Sequence, residues 1–419
     1  MNLESLLERV PAHLRFAGFE EMHANTQSLK GRRAFEVRLL GRDRFGLPIE
    51  MISVGDGPKS ILLVGAPHPN EPIGCVGIEW LIQQLGDDER LRRESGLRWH
   101  FVKAIEPYAL RQNEGWFQRR DLAAYFEHFY RPALAQQAEY GFPSRDGEGS
   151  AVVENAAYRR ALELARPDLL ATLHNCESVG AFYFLSRRHP SLADELSRQP
   201  ARHGLPLNTG GERVMGSVDV PIAPGVFLPG PAEAAPGESL SVSEYLHANG
   251  HATLVLVPEV PLFRDTGTPP SQETAQGMRD DVKLALALRA RVDDLAGDAT
   301  PLEACYIDAV RENTEFAVQL LADLEAVSER ATAAERDAQV RSCRTFALRP
   351  IAMARRLFEL RLESGGASPV ARGARDLAQH HLRSVLETPS MRDAFRPAAL
   401  GPCVAAQLDA VFAAVRLAL

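Results

Sequence analysis

The chain has 419 residues, 45% of them hydrophobic and 24% charged, which is a globular balance with enough length for one large core and a second, smaller unit. The net charge of −8 and the lack of a long basic stripe exclude nucleic acid and anionic membranes as expected partners. Five scattered cysteines without CxxC spacing exclude a disulfide framework or a thiolate zinc site and favour a reducing compartment.

The N-terminal stretch, "MNLESLLERVPAHLRF", has acidic residues near its start and no apolar run of the kind that secretory signals carry. It is expected to form a short amphipathic helix. No uninterrupted apolar stretch reaches the ~18 residues that a transmembrane helix needs, so no membrane-spanning segment is predicted. Together these features predict a cytoplasmic protein.

Strand-like and helical runs alternate over the first two thirds of the chain. A hairpin is predicted over "FEVRLLGRDRFGLPIEMISVG", a buried strand over "SILLVGAP" and a helix over "CVGIEWLIQQL". Further strands are predicted over "LRWHFVKAI", "PDLLATLH", "AFYFLS" and "HATLVLVPEV", with a helix over "AVVENAAYRRALELA". This alternation predicts an α/β sandwich with a mixed, mainly parallel central sheet.

The pattern changes near residue 300, where amphipathic helices continue to the end of the chain with few strand signals. A domain boundary is therefore predicted between residues 298 and 299. The apolar stripes of residues 299–419 must be buried, and they could cover the first domain, roof its cleft or form a dimer interface. We expect a homodimer through this helical region. Before it, residues 208–240 are rich in Gly and Pro and are expected to form a loop at the rim of a pocket.

Three predicted strands end in side chains that can bind a metal ion. The run "ILLVGAPHPNE" supplies His68 and Glu71, "LLATLHN" supplies His174, and "LVLVPE" supplies Glu259. Ligands gather at the carboxyl ends of strands in open α/β sheets, so these side chains are expected to converge. Two histidines and a carboxylate form a zinc set that leaves one position open for water, and a fourth residue, a carboxylate, could accept a proton.

Each part of this pattern also has an ordinary structural interpretation. An isolated His68 and Glu71 pair is most often an unremarkable turn. In a metal site, the prolines around the pair would restrict φ and so reduce the entropy lost in fixing the two ligands. On its own, His174 would be a core histidine and Glu259 a strand-end acid that caps a helix. The ordered combination at three strand ends favours the metal site.

In this order and spacing the chain resembles the M14 zinc carboxypeptidases. The resemblance covers roughly residues 35–295 and is specific at "GAPHPNEPIG", "TLHNCESVGAFYFL" and "LVLVPEV". It implies a phosphorylase/hydrolase-like sandwich and makes residues 1–298 a zinc peptidase catalytic domain. By the same resemblance His68, Glu71 and His174 bind one Zn²⁺ per chain, and Glu259 is the general base.

The resemblance also implies an arginine for the oxyanion, an Asn-Arg pair for the terminal carboxylate of the substrate, and a mobile tyrosine. The stretch "PYALRQNEGWF" offers Arg111 as catalytic arginine with Asn113 beside it, but no Asn-Arg dipeptide follows. Arg131 is the remaining carboxylate-binding candidate, although a salt bridge would explain it equally well. Tyr245 could be the tyrosine, and helix packing is the alternative. Its separation from Glu259 is shorter than the family's.

Two further residues lie beside the third ligand, in "LHNCES". Asn175 and Glu177 could orient a ligand or contact substrate, and Glu177 could equally be a solvated charge. The predicted function is zinc-dependent hydrolysis of an amide or peptide bond in a small or modified peptide. An N-acyl amino acid deacylase or amidase on the same site is the alternative within this class. A non-catalytic binding protein on a peptidase fold is the alternative outside it, and the intact site residues argue against that.

Overall fold

The computed structural model describes residues 3–143, 152–210, 219–230, 239–265, 273–327, 333–365 and 368–419. Its strands, numbered in chain order, are β1 (Phe35–Arg42), β2 (Pro48–Val54), β3 (Lys59–Gly65), β4 (Leu97–Val102), β5 (Leu169–Cys176), β6 (Phe182–Leu185), β7 (Val220–Ala223), β8 (Val226–Leu228), β9 (Leu254–Pro261), β10 (Phe263–Asp265) and β11 (Phe395–Pro397).

The α-helices are α1 (Phe19–Ser28), α2 (Ile73–Asp87), α3 (Glu89–Ser95), α4 (Pro107–Asn113), α5 (Leu122–Glu127), α6 (Val153–Ala165), α7 (Pro190–Arg202), α8 (Val242–Ala248), α9 (Glu273–Asp293), α10 (Pro301–Val327), α11 (Ala333–Glu363), α12 (Pro369–Leu386), α13 (Pro389–Arg392) and α14 (Leu400–Ala418). Short 3₁₀ helices cover Leu3–Arg9, Glu114–Trp116, Leu134–Gln136, Ala138–Tyr140 and Ala296–Asp298.

The chain divides into two compact units. The sheet unit comprises Met1–Arg111, Ala135–Leu262 and Ala398–Leu419, and the helical unit comprises Gln112–Leu134 and Phe263–Pro397. These units do not share the boundary predicted between residues 298 and 299, because α9 belongs to the helical unit and α14 to the sheet unit. The composition shift near residue 300 is a feature of the linear sequence, whereas a compact unit is defined by which apolar faces pack together.

A nine-stranded sheet organises the described part of the sheet unit, in the order β1-β2-β4-β3-β5-β9-β6-β8-β7. Its centre, β4-β3-β5-β9, is parallel throughout, and antiparallel pairs flank it on both sides. Every residue of β5 is buried, as expected for a strand covered on both faces. The predicted α/β class with a mixed sheet and C-terminal helices is confirmed. The phosphorylase/hydrolase-like label stays a prediction.

Two local predictions differ from the structure. The predicted N-terminal helix is a 3₁₀ helix that ends at Arg9, just before Pro11, whose missing N–H cannot continue a helix. Within the stretch predicted as a loop, residues 219–230 hold the β7–β8 hairpin, which turns at Gly225 with φ of 68°. Residues 211–218 and 231–238 of that stretch lie outside the described residues.

The C-terminal helix α14 is a core element of the sheet unit. Among the described helices it alone is long and apolar enough to cross a membrane, yet 78% of its apolar window is buried inside the protein. It packs on α2, α7 and β9, and the ring of Phe412 meets Trp99 edge to face at 6.4 Å. The burial of α14 in this core accounts for its hydropathy.

In the helical unit, α11 packs against α9, α10 and α12. The fully buried carboxylate of Asp281 on α9 accepts hydrogen bonds from Arg344 on α11, at 2.6 Å, and lies 2.6 Å from Nε2 of His381 on α12. This network joins three helices through one buried charge that is paired on both oxygens. The predicted dimerisation through residues 299–419 stays a prediction.

A buried histidine in β4 makes the stability of the sheet unit depend on pH. His100 is 5% exposed, its Nδ1 lies 2.8 Å from the Ser53 hydroxyl, and burial lowers its pKa from 6.5 to about 4. Below pH 6.5 this histidine therefore binds a proton in the unfolded chain, whereas in the folded chain it stays neutral down to about pH 4. The folded state is thus not destabilised by His100 above pH 6.5, and its free energy of unfolding falls as the pH drops through this window.

We expect the free energy of unfolding to fall by about 2–3 kcal/mol more in the wild type than in His100→Gln between pH 7 and pH 4.5. Urea unfolding of both proteins at the two pH values measures the difference. An equal fall in both proteins would show that His100 does not carry this pH dependence.

Candidate metal centre

The loop between β3 and α2 presents the first two predicted ligands. Ala66 turns the chain out of β3 with φ of 43°, a left-handed conformation that is uncommon for a residue with a Cβ. The N–H of Glu71 then donates to the carbonyl of His68 at 3.0 Å, which closes a turn. Both side chains are buried, at 3% and 4% exposure for His68 and Glu71. The stiff turn therefore directs both residues into the protein.

The helix that follows this loop starts directly against the strand that carries the third ligand. At Gly74, an added Cβ would lie 2.5 Å from the Cβ of Leu173, one residue before His174. Only a glycine allows this approach, because any larger residue would push α2 away from β5. The close contact brings the His68 and Glu71 loop next to the end of β5.

His174 and Glu259 lie side by side on neighbouring parallel strands. The β5–β9 register pairs the two residues directly, and the Glu259 Oε1 lies 3.7 Å from Nδ1 of His174. Glu71 Oε2 approaches the same nitrogen at 3.1 Å. The ring of His68 packs edge to face on the ring of His174, with centroids 4.8 Å apart. The structure thus brings together the three predicted ligands and the predicted base around His174.

A third acidic residue, which was not predicted from the sequence, completes the cluster. Glu139 lies on the 3₁₀ helix Ala138–Tyr140, and its Oε2 is 3.1 Å from Nε2 of His174 and 3.9 Å from Nε2 of His68. The segment "AEYGFP" has no strand before it and no helical or alternating period. A lone acid in such a segment carries no signal that distinguishes it from a surface charge.

The electrostatics of the cluster favour a cation at its centre. Three buried carboxylates, those of Glu71, Glu139 and Glu259, surround His174, which is itself 5% exposed. Burial lowers the pKa of His174, but the carboxylates of Glu139, Glu71 and Glu259 together raise that pKa well above its usual value. Carboxylates brought together out of water repel one another and need positive charge between them.

The donor atoms fit a divalent metal. They form two overlapping groups, His68 with Glu139 and His174, and Glu71 with His174 and Glu259, and in each group the ligand atoms lie within 4.8 Å of one another. Imidazole nitrogens and carboxylate oxygens are the donors of catalytic zinc sites. His174 belongs to both groups, so any metal in this centre depends on it.

Two amide side chains hold the backbone around His174. The backbone N–H of Asn175 donates to Glu71 Oε2 at 3.1 Å. The side-chain Oδ1 of Asn175 accepts from the N–H of Ile73, the first residue of α2, at 3.0 Å. From α14, the fully buried Gln407 donates Nε2 to the carbonyl of His174 at 2.8 Å. These contacts fit the orienting role predicted for Asn175. Gln407 was not predicted, since nothing in its sequence context points to β5.

Glu177 is 3% exposed, so it is not the solvated charge that the sequence left open as an alternative. Two other candidates belong to the helical unit. The side-chain amide of Asn113 donates to and accepts from the backbone of Tyr130, at 2.8 and 3.1 Å. Arg131 lies near the carboxyl of Glu312. Burial raises the pKa of that carboxyl, and the positive charge of Arg131 opposes the rise. Substrate-binding roles for these three candidates stay predictions.

The last two candidates have structural partners in the sheet unit. Arg111 forms an ion pair with Glu20 at 3.5 Å, and its side chain is 40% exposed. The ring of Tyr245 packs on Phe142 with centroids 4.9 Å apart, at the edge of a hydrophobic cluster. These contacts agree with helix packing, the alternative that the sequence left open for Tyr245. The oxyanion role of Arg111 stays a prediction.

Comparison with solved structures finds carboxypeptidases that are similar to this chain. The chain is similar to the metallo-carboxypeptidase from Burkholderia cenocepacia (16% identity, TM-score 0.40, 60% of this chain and 62% of that one). It is also similar to carboxypeptidase A from Helicoverpa armigera, with 14% identity, a TM-score of 0.42 and coverage of 60% of this chain and 66% of that one. The metallo-carboxypeptidase from Pseudomonas aeruginosa is similar too, with 18% identity, a TM-score of 0.37 and coverage of 60% of this chain and 62% of that one. All three are carboxypeptidases.

No family model and no curated protein matches the sequence. The chain spans less than two thirds of the length of each of these three carboxypeptidases. Because the three TM-scores lie below 0.5, the case for a function rests on the residues of the site.

Proposed function

We propose that this chain is a zinc-dependent hydrolase that cleaves an amide or peptide bond, in the manner of a carboxypeptidase, in a small or modified peptide. The observation that supports it is the convergence at His174. Its Nδ1 lies 3.1 Å from Glu71 and 3.7 Å from Glu259, and the ring of His68 packs against its own ring. Two imidazoles and two carboxylates at the ends of three strands are the parts that metal-assisted hydrolysis needs.

In this proposal each side chain has one role. His68, Glu71 and His174 would hold one Zn²⁺, which supplies a Lewis acid that polarises the substrate carbonyl and lowers the pKa of water. Glu259 is the general base, since it is the carboxylate farther from His174 Nδ1 and lies on the adjacent strand. Its carboxylate accepts the proton of the attacking water and passes it to the leaving nitrogen.

The residues of the site indicate the type of reaction more closely than they indicate the substrate. No Asn-Arg dipeptide follows Asn113, and the amide of Asn113 is engaged by Tyr130. An N-acyl amino acid carries the same free carboxylate as the C-terminus of a peptide, so it is a second candidate substrate on the same site. A binding protein without catalysis has no physical need to hold three carboxylates out of water around one imidazole.

The experiment that tests the proposal is metal analysis combined with a hydrolysis panel. We expect one zinc ion per chain in protein purified without chelators, and hydrolysis that phenanthroline abolishes and zinc restores. The panel holds peptides with free C-termini, the same peptides amidated, and N-acyl amino acids. Preference for the first indicates a carboxypeptidase and preference for the last a deacylase.

Protein that binds no zinc contradicts the proposal. Zinc-loaded protein that binds the peptides and cleaves none would indicate a binding protein.

A further inference from the structure

A cavity of about 240 Å³ opens in the sheet unit between residues 11–17, helix α1 and helix α2, and no residue of the metal centre lines it. We propose that this cavity binds a small zwitterion, an α-amino acid with an apolar side chain, whose ammonium group meets the carboxylate of Glu79. The inference goes beyond the proposed hydrolysis, and binding at this cavity does not depend on zinc.

One face of α2 forms a wall of the cavity. The lining residues recur at the spacing of helical turns and are Cys75, Val76, Glu79, Trp80 and Gln83. Most of α2 is buried, and Glu79 and Gln83, four residues apart, are the polar members of this face. The helix therefore presents one carboxylate to the cavity among apolar neighbours.

The rest of the lining is mainly apolar. Met22 on α1 and Trp80 on α2 are both buried, and burial raises the pKa of the Cys75 thiol to about 12, so this thiol lines the cavity as a neutral group. The other apolar lining residues are Pro11, Leu14, Ala17 and Val76. Water against such walls lacks hydrogen-bond partners, so an apolar side chain that displaces this water gains free energy of binding.

The carboxylate of Glu79 is held in place by a buried lysine. Lys103 is 6% exposed, and its Nζ donates to Glu79 Oε1 at 2.5 Å and to the carbonyl of Met22 at 3.1 Å. Within the part of the chain that the structure describes, Glu79 Oε2 has no hydrogen-bond partner. A ligand ammonium makes the strong, charge-assisted kind of hydrogen bond to such an oxygen. Because Lys103 already joins α1 to α2, little ordering is left for the ligand to bring about.

The charges around the cavity cancel in pairs, which favours a ligand whose own charges cancel. Lys103 balances Glu79, and Arg15 donates to Glu21, with both members of this second pair among the lining residues. A zwitterion brings an ammonium for Glu79 and a carboxylate for Arg15 without adding net charge. An α-amino acid carries both groups beside its side chain. The cavity is also smaller than the ~300–1,000 Å³ of sites for drug-sized ligands, as a molecule of this size requires.

The test is calorimetric titration of the full-length chain with L-leucine in the presence of phenanthroline. The chelator is included because amino acids bind zinc and are what a carboxypeptidase reaction releases. We expect saturable binding of L-leucine, and about 10–100-fold weaker binding of N-acetyl-L-leucine, which lacks the ammonium. L-leucinamide, which lacks the carboxylate, should lose only about 2–5-fold, because the side chain of Arg15 is 72% exposed and exposed ion pairs contribute little.

Four variants locate the site. Glu79→Gln should weaken L-leucine binding about 10–100-fold, because it removes the charge that holds the ammonium. Arg15→Gln should weaken binding about 2–5-fold. Its matched control is Arg38→Gln, which removes another exposed arginine of the sheet unit, paired with Glu36 at 2.6 Å, and should bind like the wild type. Gln83→Trp should place a large ring over the cavity and abolish binding.

The outcomes separate this inference from the proposed function. No saturable binding of L-leucine to the wild type, equal binding of N-acetyl-L-leucine, or unchanged binding in Glu79→Gln and Gln83→Trp would overturn the amino-acid site and leave the hydrolase proposal intact. Specific binding by a protein that holds no zinc and cleaves nothing would uphold the site and overturn only the proposed function. If Glu79→Gln fails to fold because Lys103 loses its charged partner, Gln83→Trp decides, since Gln83 is exposed and lies outside that pair.

Discussion

The substitution His174→Ala should remove zinc and hydrolysis together. His174 is the one residue common to both groups of ligand atoms, and each of its ring nitrogens lies 3.1 Å from a buried carboxylate. Its loss should weaken zinc binding by more than the ~100-fold that is the upper range for residues that only support a ligand. Turnover should fall to the background rate of the uncatalysed reaction. Metal analysis and the rate on the best panel substrate measure the two effects.

A second histidine of the sheet unit provides the control. His203 has its Nε2 2.9 Å from Asp409 and takes no part in either ligand group, so His203→Ala should keep its zinc and its activity. The His174→Ala variant should also lose thermal stability when zinc is absent from both proteins, because Glu71, Glu139 and Glu259 then repel one another across an empty space. Full zinc content in His174→Ala would refute the centre as described.

The substitution Glu259→Gln should separate metal binding from catalysis. The substitution keeps the shape of the side chain and removes its ability to accept a proton from water, so hydrolysis should fall by about 10²–10⁴-fold, the range of general base catalysis. Zinc should remain, because Glu259 is not one of the three proposed ligands. Turnover under substrate saturation, together with metal content, measures both.

Glu71→Gln is the informative partner of this variant. Glu71 and Glu259 both approach Nδ1 of His174, at 3.1 and 3.7 Å, and only their roles differ in the proposal. Glu71→Gln should lose zinc along with activity, whereas Glu259→Gln should lose activity alone. The opposite result would exchange the two roles, and an unchanged rate in Glu259→Gln would require another base.

Regular structure explains why part of the site was predictable. His174 and Glu259 end adjacent parallel strands, and the register of those strands pairs them directly. A strand end is visible in a sequence because a run of aliphatic residues stops there, and parallel strands bring such ends to one edge of the sheet. The loop after β3 meets the same edge, which places His68 and Glu71 there.

The residues that sequence reasoning missed or left open depend on partners far along the chain. Glu139 lies in a three-residue 3₁₀ helix without any period, and Gln407 reaches His174 from the C-terminal helix. Arg111 and Tyr245 have the right residue types in plausible places, yet the structure pairs Arg111 with Glu20 and packs Tyr245 on Phe142. Residue type alone does not reveal which partner a side chain meets.

The amino-acid sequence by itself determined the α/β class and the meeting of two histidines and two carboxylates at strand ends, because alternation of apolar runs and their termination are local properties. Only the tertiary structure decided that a third carboxylate, Glu139, faces both histidines and that α14 belongs to the sheet unit. Those outcomes follow from which surfaces bury one another in the folded chain, and burial between distant segments leaves no local periodicity in the sequence.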